Sequence, residues 1–316
     1  MNNKNTTVAK RTLGKSGLAV SEIGLACAPL GGAFGVEENI RAFAVLAATD
    51  REGMYFLDTA DIYGSGLSES RIGAWQKQHA APRLVASKAG RGPEMFPGRH
   101  QYDRMRRSVE GTLERLQLDH LDLLHLHRLP KELLQNEQVW HWLDDFRKEG
   151  LIKHYGVCVD TLDEANISLD RPHLTSVQIA LNVLHQAPLE RFVARANAQG
   201  VGIIARQPFA HGLLCNAAFP TEPDERKRFS YLTRSRLQQK KLVDRLRELV
   251  PSGMTLEQMV LRWLLDQEGI ASVLVTAVTP DQVTSYAKAS HLPALNKSLH
   301  QQLHEFYEEN LRSATA

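Results

Sequence analysis

Eight short apolar runs recur along the chain, each separated from the next by a longer amphipathic segment, and this alternation limits the fold more than any other feature. The runs lie at 23–28, 55–57, 84–86, 121–126, 154–157, 176–179, 201–205 and 271–275. Helical periodicity covers 38–52, 68–78, 103–117, 135–149, 161–169, 189–199, 255–267 and 280–290. Gly53, Gly150 and Gly200 each fall just after a helix and before a strand, where a left-handed residue stops a helix at little cost. Alternating strand–helix units require right-handed crossovers and a parallel sheet. Eight unbroken units favour closure into an α/β (β/α)8 TIM barrel over an open doubly wound sheet.

A chain of 316 residues can build one such barrel around a single core. We expect a flexible N-terminal arm over 1–9 and one barrel domain over 10–316. Within it, Leu13-Gly14-Lys15-Ser16-Gly17-Leu18 places a Gly/Ser turn between two short segments, which predicts a β-hairpin over 10–23 covering one barrel end. Extra helices are expected at 236–250 and 296–312, and the polar stretch 207–235 is expected to lie outside the core. The formal charge of +2, with both signs interspersed, argues against a nucleic-acid partner or a polybasic membrane contact. Cys27, Cys158 and Cys215 show neither a CxxC pair nor metal-ligand spacing, which points to a reduced, cytoplasmic compartment and no metal centre. The first residues lack the apolar core of a signal peptide, and no apolar run reaches membrane-spanning length.

In a barrel of this kind chemistry gathers where the strands end in their carboxyl direction. Three successive strands there run into ionisable groups: Asp58, Lys88 and His127, with Tyr63 one short loop beyond Asp58. A phenol with a reference pKa near 10 is a poor acid or base at neutral pH. A nearby Lys88 ammonium would favour the phenolate and bring it closer to working range, Asp58 would hold that lysine, and His127 could orient a substrate oxygen. Blander roles exist for each residue: Asp58 as a helix cap, Lys88 as a phosphate binder. Lys88 as a Schiff-base nucleophile is a third chemistry. His125 shares the strand parity of His127 and is read as a hydrogen-bonded core residue.

Leu57-Asp58-Thr59-Ala60-Asp61-Ile62-Tyr63-Gly64, followed by Ser68-Glu69 and Gly73, closely resembles the second-strand motif of the aldo-keto reductases. Ser87-Lys88 resembles that family's third-strand lysine, and Asp122-Leu123-Leu124-His125-Leu126-His127 its fourth-strand segment. The hairpin, Arg115-Leu116-Gln117-Leu118-Asp119 and Gly150-Leu151-Ile152-Lys153 are similar to family positions too, so the resemblance spans nearly the whole chain. It implies catalytic roles for Asp58, Tyr63, Lys88 and His127. It also implies NADP(H), with NAD(H) as the alternative, bound extended across the barrel mouth without a GxGxxG fingerprint. Gly64-Ser65-Gly66 is read as a turn, since the next glycine falls at Gly73.

The resemblance assigns cofactor contacts to Asp58, Cys158, Gln178, Arg206, Gln207, Gly212 and Gln282. Gln178 would hold the nicotinamide carboxamide, Arg206 would stack where the family often has an aromatic, and Gly212 lies in a loop that wraps the pyrophosphate. Cys158-Val159 departs from the family's Ser-Asn. Thr276-Ala277-Val278 and Gln282 stand where basic and small polar residues often bind the 2′-phosphate. The Ala28–Gly35 stretch is similar to the branch that oxidises aldoses such as fucose-type sugars. The implied partners are a nicotinamide dinucleotide and a small carbonyl or alcohol, chosen by loops near Phe34, Trp75, Arg91 to His100, Arg128 and 209–236. The altered positions also motivate a second reading, a nucleotide-sensing subunit with little turnover.

Overall fold

Ten strands carry the architecture: β1 (Lys10–Thr12), β2 (Ala19–Ser21), β3 (Ile23–Ala26), β4 (Phe56–Asp58), β5 (Leu84–Ala89), β6 (Leu121–His127), β7 (Ile152–Cys158), β8 (Leu174–Ala180), β9 (Gly202–Arg206) and β10 (Ile270–Val275). The computed structural model describes residues 7–33, 35–80, 83–215 and 229–312, Ser230 by its backbone alone. β3 to β10 form a closed barrel in which every neighbouring pair is parallel and β10 closes against β3. Each of the eight expected apolar runs is therefore a barrel strand. The right-handed twist of parallel strands, with a helix packed on each crossover, drives closure.

The expected helices are present with local differences. The helix expected over 135–149 is Glu137–Lys148, preceded by a separate short helix Lys131–Gln135; the Asn136 side chain accepts from Gln138 N and starts the longer one. The 189–199 segment opens as a π-helical turn over Leu189–Val193 before continuing as Ala194–Ala198. Thr161, Ser235, Thr255 and Thr279 begin helices with reciprocal capping boxes to Glu164, Gln238, Gln258 and Gln282. Gly53, Gly150 and Gly200 all adopt the left-handed conformation expected of them. The extra helices appear at Arg236–Arg247 and Lys297–Asn310.

β1 and β2 form the expected antiparallel hairpin. Leu13 and Val20 are fully buried and join Phe56, Leu84, Leu123 and Ile204 in a plug at the amino end of the barrel. The mouth at the opposite end is left to the site.

Two expectations need correction. Residues 7–9, placed in the flexible arm, are tied down: Val8 is buried with its amide on Glu52 O at 2.9 Å, and Ala9 N donates to Ser290 Oγ at 3.0 Å. A polar composition hid one apolar residue that reaches the core; residues 1–6 lie outside the described residues. Likewise 207–235 is not all peripheral, since Phe209, Ala210, Leu214, Phe229 and Tyr231 are buried. Its average polarity concealed these apolar anchors, and 216–228 lie outside the described residues. No described helix is long and apolar enough to cross a membrane.

Candidate active site

Because alternate strand residues face the barrel axis, Asp58, Lys88 and His127 reach the same inner face as Cys158, Gln178 and Arg206 on the following strands. Lys88 Nζ donates to Asp58 Oδ2 at 2.5 Å and to Thr59 O at 2.7 Å, and the two charged side chains are 1% and 3% exposed. Burial works against the ammonium, but Asp58, helped by Tyr63 and Cys158, outweighs it and holds the Lys88 pKa above the ordinary value. A fully charged, ion-paired amine is no Schiff-base nucleophile, and one buried this deeply is no surface phosphate binder.

Tyr63 stands beside this pair. Its ring meets His127 edge-on with centroids 6.0 Å apart, and Lys88 Nζ is 5.2 Å from the ring centre. The loop holding it depends on contact between two glycines. A Cβ on Gly31 would come within 2.5 Å of Tyr63 C, and one on Gly64 within 2.2 Å of Gly31 O. Neither backbone can retreat, so Gly31→Ala must shift the Tyr63 loop. We expect it to lower the melting temperature by an amount matching about 1–3 kcal/mol and to lower turnover. Gly98→Ala, where an added Cβ meets nothing within 4 Å, is the control. Calorimetry and initial rates on both variants check this, and a normal Gly31→Ala would remove the tight contact from the account.

The direction of the Tyr63 shift corrects the sequence-based expectation. Burial raises the phenol pKa and Asp58 and Cys158 add to it, while the charge and hydrogen bond of Lys88 oppose without prevailing. Burial prevails over the lysine, so Tyr63 is a neutral phenol at physiological pH, suited to give a proton. His127 is shifted the other way: burial first, then Lys88, Arg128, Arg91 and Arg206, hold it well below the usual imidazole range. It is neutral, and its buried Nδ1 has no hydrogen-bond partner among the described residues.

His125 takes the core role assigned to it, with Nε2 3.0 Å from Ser176 Oγ. Burial, then Lys88, lowers its pKa to about 3. An unfolded histidine titrates near 6.5. Between these values the unfolded chain binds the proton and the folded one does not. Stability is thus complete above about pH 6.5 and falls by about 1.4 kcal/mol per pH unit below it, for each such histidine. Urea unfolding at pH 7 and pH 5 should show this loss, and His125→Gln should make the dependence shallower. An unchanged slope in that variant would contradict the neutral buried imidazole.

A cavity of about 550 Å³ opens over these groups, with Asp58, Cys158 and Gln178 among its floor and Tyr63 and His127 in its wall. Gln178 Nε2 donates to Asp58 Oδ1 at 2.8 Å, so what it offers a ligand is its amide oxygen. Gln207 and Gly212 line the rim, in a turn where Gln207, Ala210, His211 and Gly212 all have positive φ. The buried Gln207 Oε1 has no hydrogen-bond partner among the described residues. Arg206 also lines the cavity, but its Nη2 donates to Asp160 Oδ1 at 2.6 Å and Val159 O at 3.0 Å.

Gln282 is placed elsewhere: its Oε1 accepts from Val278 N and Thr279 N as a helix cap, and it does not line the cavity. Thr276 and Val278 line it instead. Of the expected substrate-loop residues, Arg128 and Phe209 do line the cavity, and Phe34 lies outside the described residues. Trp75 is a core residue, 8% exposed and hydrogen-bonded from Nε1 to Asp50 Oδ2 at 2.9 Å.

Asp160 escaped sequence reading, and so did the buried role of Glu69, a residue noted above only as part of the family motif. Asp160 bridges Arg206 and Arg128, and its place two residues past the end of β7 was the available signal. Glu69 is wholly buried and accepts from Ser87 Oγ at 2.5 Å, Thr112 Oγ1 at 3.0 Å and Arg115 Nε at 2.7 Å, fixing the helix behind Tyr63 to the barrel. Nothing in local spacing marks that carboxylate as internal.

The sequence profile of the Aldo/keto reductase family matches residues 28–308. L-galactose dehydrogenase of Arabidopsis thaliana is 34% identical over 224 residues, 68% of this chain and 70% of its own. D-threo-aldose 1-dehydrogenase of a Pseudomonas species is 28% identical over 312 residues, 88% of this chain and 92% of its own. The holo form of an aldo-keto reductase from Bacillus halodurans superposes with a TM-score of 0.81 at 25% identity, covering 98% of this chain and 99% of that one. With the family profile spanning most of the chain and the closed eight-stranded barrel in place, this protein belongs to the aldo/keto reductase family and is an oxidoreductase of the carbonyl–alcohol type.

Proposed function

We propose that this chain interconverts an aldehyde or ketone and the corresponding alcohol with a nicotinamide dinucleotide, Tyr63 exchanging the proton. The observation that carries this reading is the buried Asp58–Lys88 pair beside a neutral phenol and a neutral imidazole at one open cavity. When bound, the dinucleotide supplies or takes up the hydride. The residues present fit such a group: the partnerless Gln207 Oε1 and the Gln178 amide oxygen suit a carboxamide NH₂, and the positive-φ rim turn brings backbone close to a ligand.

In reduction, the substrate oxygen is oriented by a hydrogen bond from the neutral His127 and receives the proton of Tyr63 Oη. Lys88 stabilises the phenolate left behind, which is the moment at which its charge acts. Asp58 keeps Lys88 protonated and aimed, and Gln178 keeps Asp58 in place. In oxidation the same phenol takes the proton back. The relatives named for L-galactose and D-threo-aldose oxidation make sugars the reference substrates. NADP(H) stands ahead of NAD(H) on the family resemblance, although Thr276 and Val278 bring no cation to the cavity.

Titration of the purified protein with NADPH and NADH, following tryptophan fluorescence, followed by turnover on aldoses and small aldehydes, tests this. Tight NADPH binding with substrate-dependent oxidation of the nucleotide is expected. Binding without any turnover would replace the enzyme reading by nucleotide sensing, and binding of neither nucleotide would sink both.

A further inference from the structure

Arg71 is a buried cation that the proton and hydride transfers do not use. It lies on the helix Leu67–Gln78, which follows the Tyr63 loop, and it is 4% exposed. Its Nη1 donates to Leu30 O at 2.6 Å, its Nη2 to Ala33 O at 2.8 Å and its Nε to Asn39 Oδ1 at 2.7 Å. All three nitrogens are thus committed to one stretch of chain, the loop that leaves β3 and the start of the helix Val36–Glu52 after it. The partners are two main-chain carbonyls and a side-chain amide, none of them charged. Burial lowers the Arg71 pKa, and Glu38 on the same helix start opposes that. Bonds from a charged donor are roughly twice as strong as neutral ones, so guanidinium and loop hold each other firmly.

That loop forms part of the site. Ala28 and Pro29 line the cavity, and Gly31 packs against the Tyr63 backbone with no room for a Cβ. The same helix also fastens the residue before it, since Ser68 Oγ donates to Cys27 O at 2.8 Å. The turn is therefore placed against Tyr63 by Ser68 at one end and Arg71 at the other. Its internal bonds, Leu30 N to Cys27 O at 3.0 Å and Gly32 N to Pro29 O at 3.1 Å, shape the turn without fixing it to the barrel. Ala33 is exposed, so water would take over its carbonyl if the guanidinium were removed, and the turn would be free to move outward.

We propose that Arg71 is a positioning residue for the reaction: it holds the 28–33 wall at the spacing from Tyr63 that selects carbonyl substrates by bulk beside the reacting carbon. This rests on the carbonyl–alcohol reading of the same cavity. Arg71 does not line the cavity and acts through Pro29 and Gly31, so its removal alters selectivity while the reacting groups stay in place.

The test compares reduction of propanal and 2,2-dimethylpropanal by the native protein, Arg71→Met, Arg71→Lys and Asn39→Ala. Both aldehydes are reduced by the same folded molecules, so the ratio of their kcat/KM values is independent of how much of a preparation is folded. We expect the native protein to favour propanal and Arg71→Met to shrink that ratio by about tenfold, the scale on which a pocket discriminates small differences in alkyl bulk. The kcat on propanal should fall too, because Gly31 passes the shift to Tyr63, while NADPH affinity stays close to native. Arg71→Lys keeps the charge but not the planar fork and should fall between. Asn39→Ala releases only Nε, at an exposed position, and should move the ratio least, in the same direction. Equal losses on both aldehydes in Arg71→Met, leaving the ratio at its native value, would make Arg71 structural only and overturn the proposal. A native protein that takes both aldehydes equally overturns it as well. If Arg71→Met does not fold, a native ratio in both Arg71→Lys and Asn39→Ala has the same meaning. Reduction of neither aldehyde by the native protein with either nucleotide overturns the carbonyl–alcohol reading along with it.

Discussion

Replacing Tyr63 by phenylalanine should lower carbonyl turnover by about 10²- to 10⁴-fold, the range associated with one general acid, and leave dinucleotide affinity close to that of the native protein. The change removes one oxygen and keeps the ring against His127, so the cavity wall persists. What is lost is a neutral phenol whose pKa, raised by burial, is opposed by the buried Lys88 ammonium beside it. Steady-state rates beside a fluorescence titration read the two effects separately. Full turnover in the variant would move the proton role to another group and dismantle the proposed mechanism.

Lys88→Met is the second large effect, and it appears in stability before activity. The methionine fills a similar volume but strands the Asp58 carboxylate, 3% exposed, without its cation. Breaking a buried pair from one side typically costs about 3–5 kcal/mol. Urea unfolding at pH 7 measures it. Asp58→Asn combined with Lys88→Met removes the orphaned charge and should recover a substantial share of the loss. A single variant within about 1 kcal/mol of the native protein would mean that water reaches Asp58 there, contrary to the near-complete burial of the pair.

The barrel was legible because its signal is repeated. Eight apolar runs of strand length cannot all be misread at once, and Gly53, Gly150 and Gly200 mark three helix ends by a backbone need that few other residues meet. Asp58, Lys88 and His127 were legible for a related reason: each is the last or next-to-last residue of a strand, and parity fixes which way a strand-end side chain points. The rest depends on contacts distant in sequence. Gln282 occupies a position associated with cofactor binding yet serves its own helix start, a competition between local capping and ligation that local sequence does not resolve. The Tyr63 shift runs opposite to the expectation because burial of the phenol, which the local motif does not report, outweighs the lysine beside it. Asp160 links Arg128 and Arg206 across 32 and 46 residues, a spacing that no motif encodes.

The hairpin at the amino end has a bearing on how the chain reaches this structure. Arg11 donates to Ile270 O and Leu265 O, partners 259 and 254 residues away, and β3 completes its pairing only with β10. During synthesis from the ribosome, the first strands emerge long before the last, and must wait with an open, unpaired sheet edge until the C-terminal quarter appears. Contacts of such sequence separation slow folding and lengthen exposure to aggregation. The stopper of the barrel is therefore also its latch: it is translated well before the strand and helix that it locks, and can engage only after them.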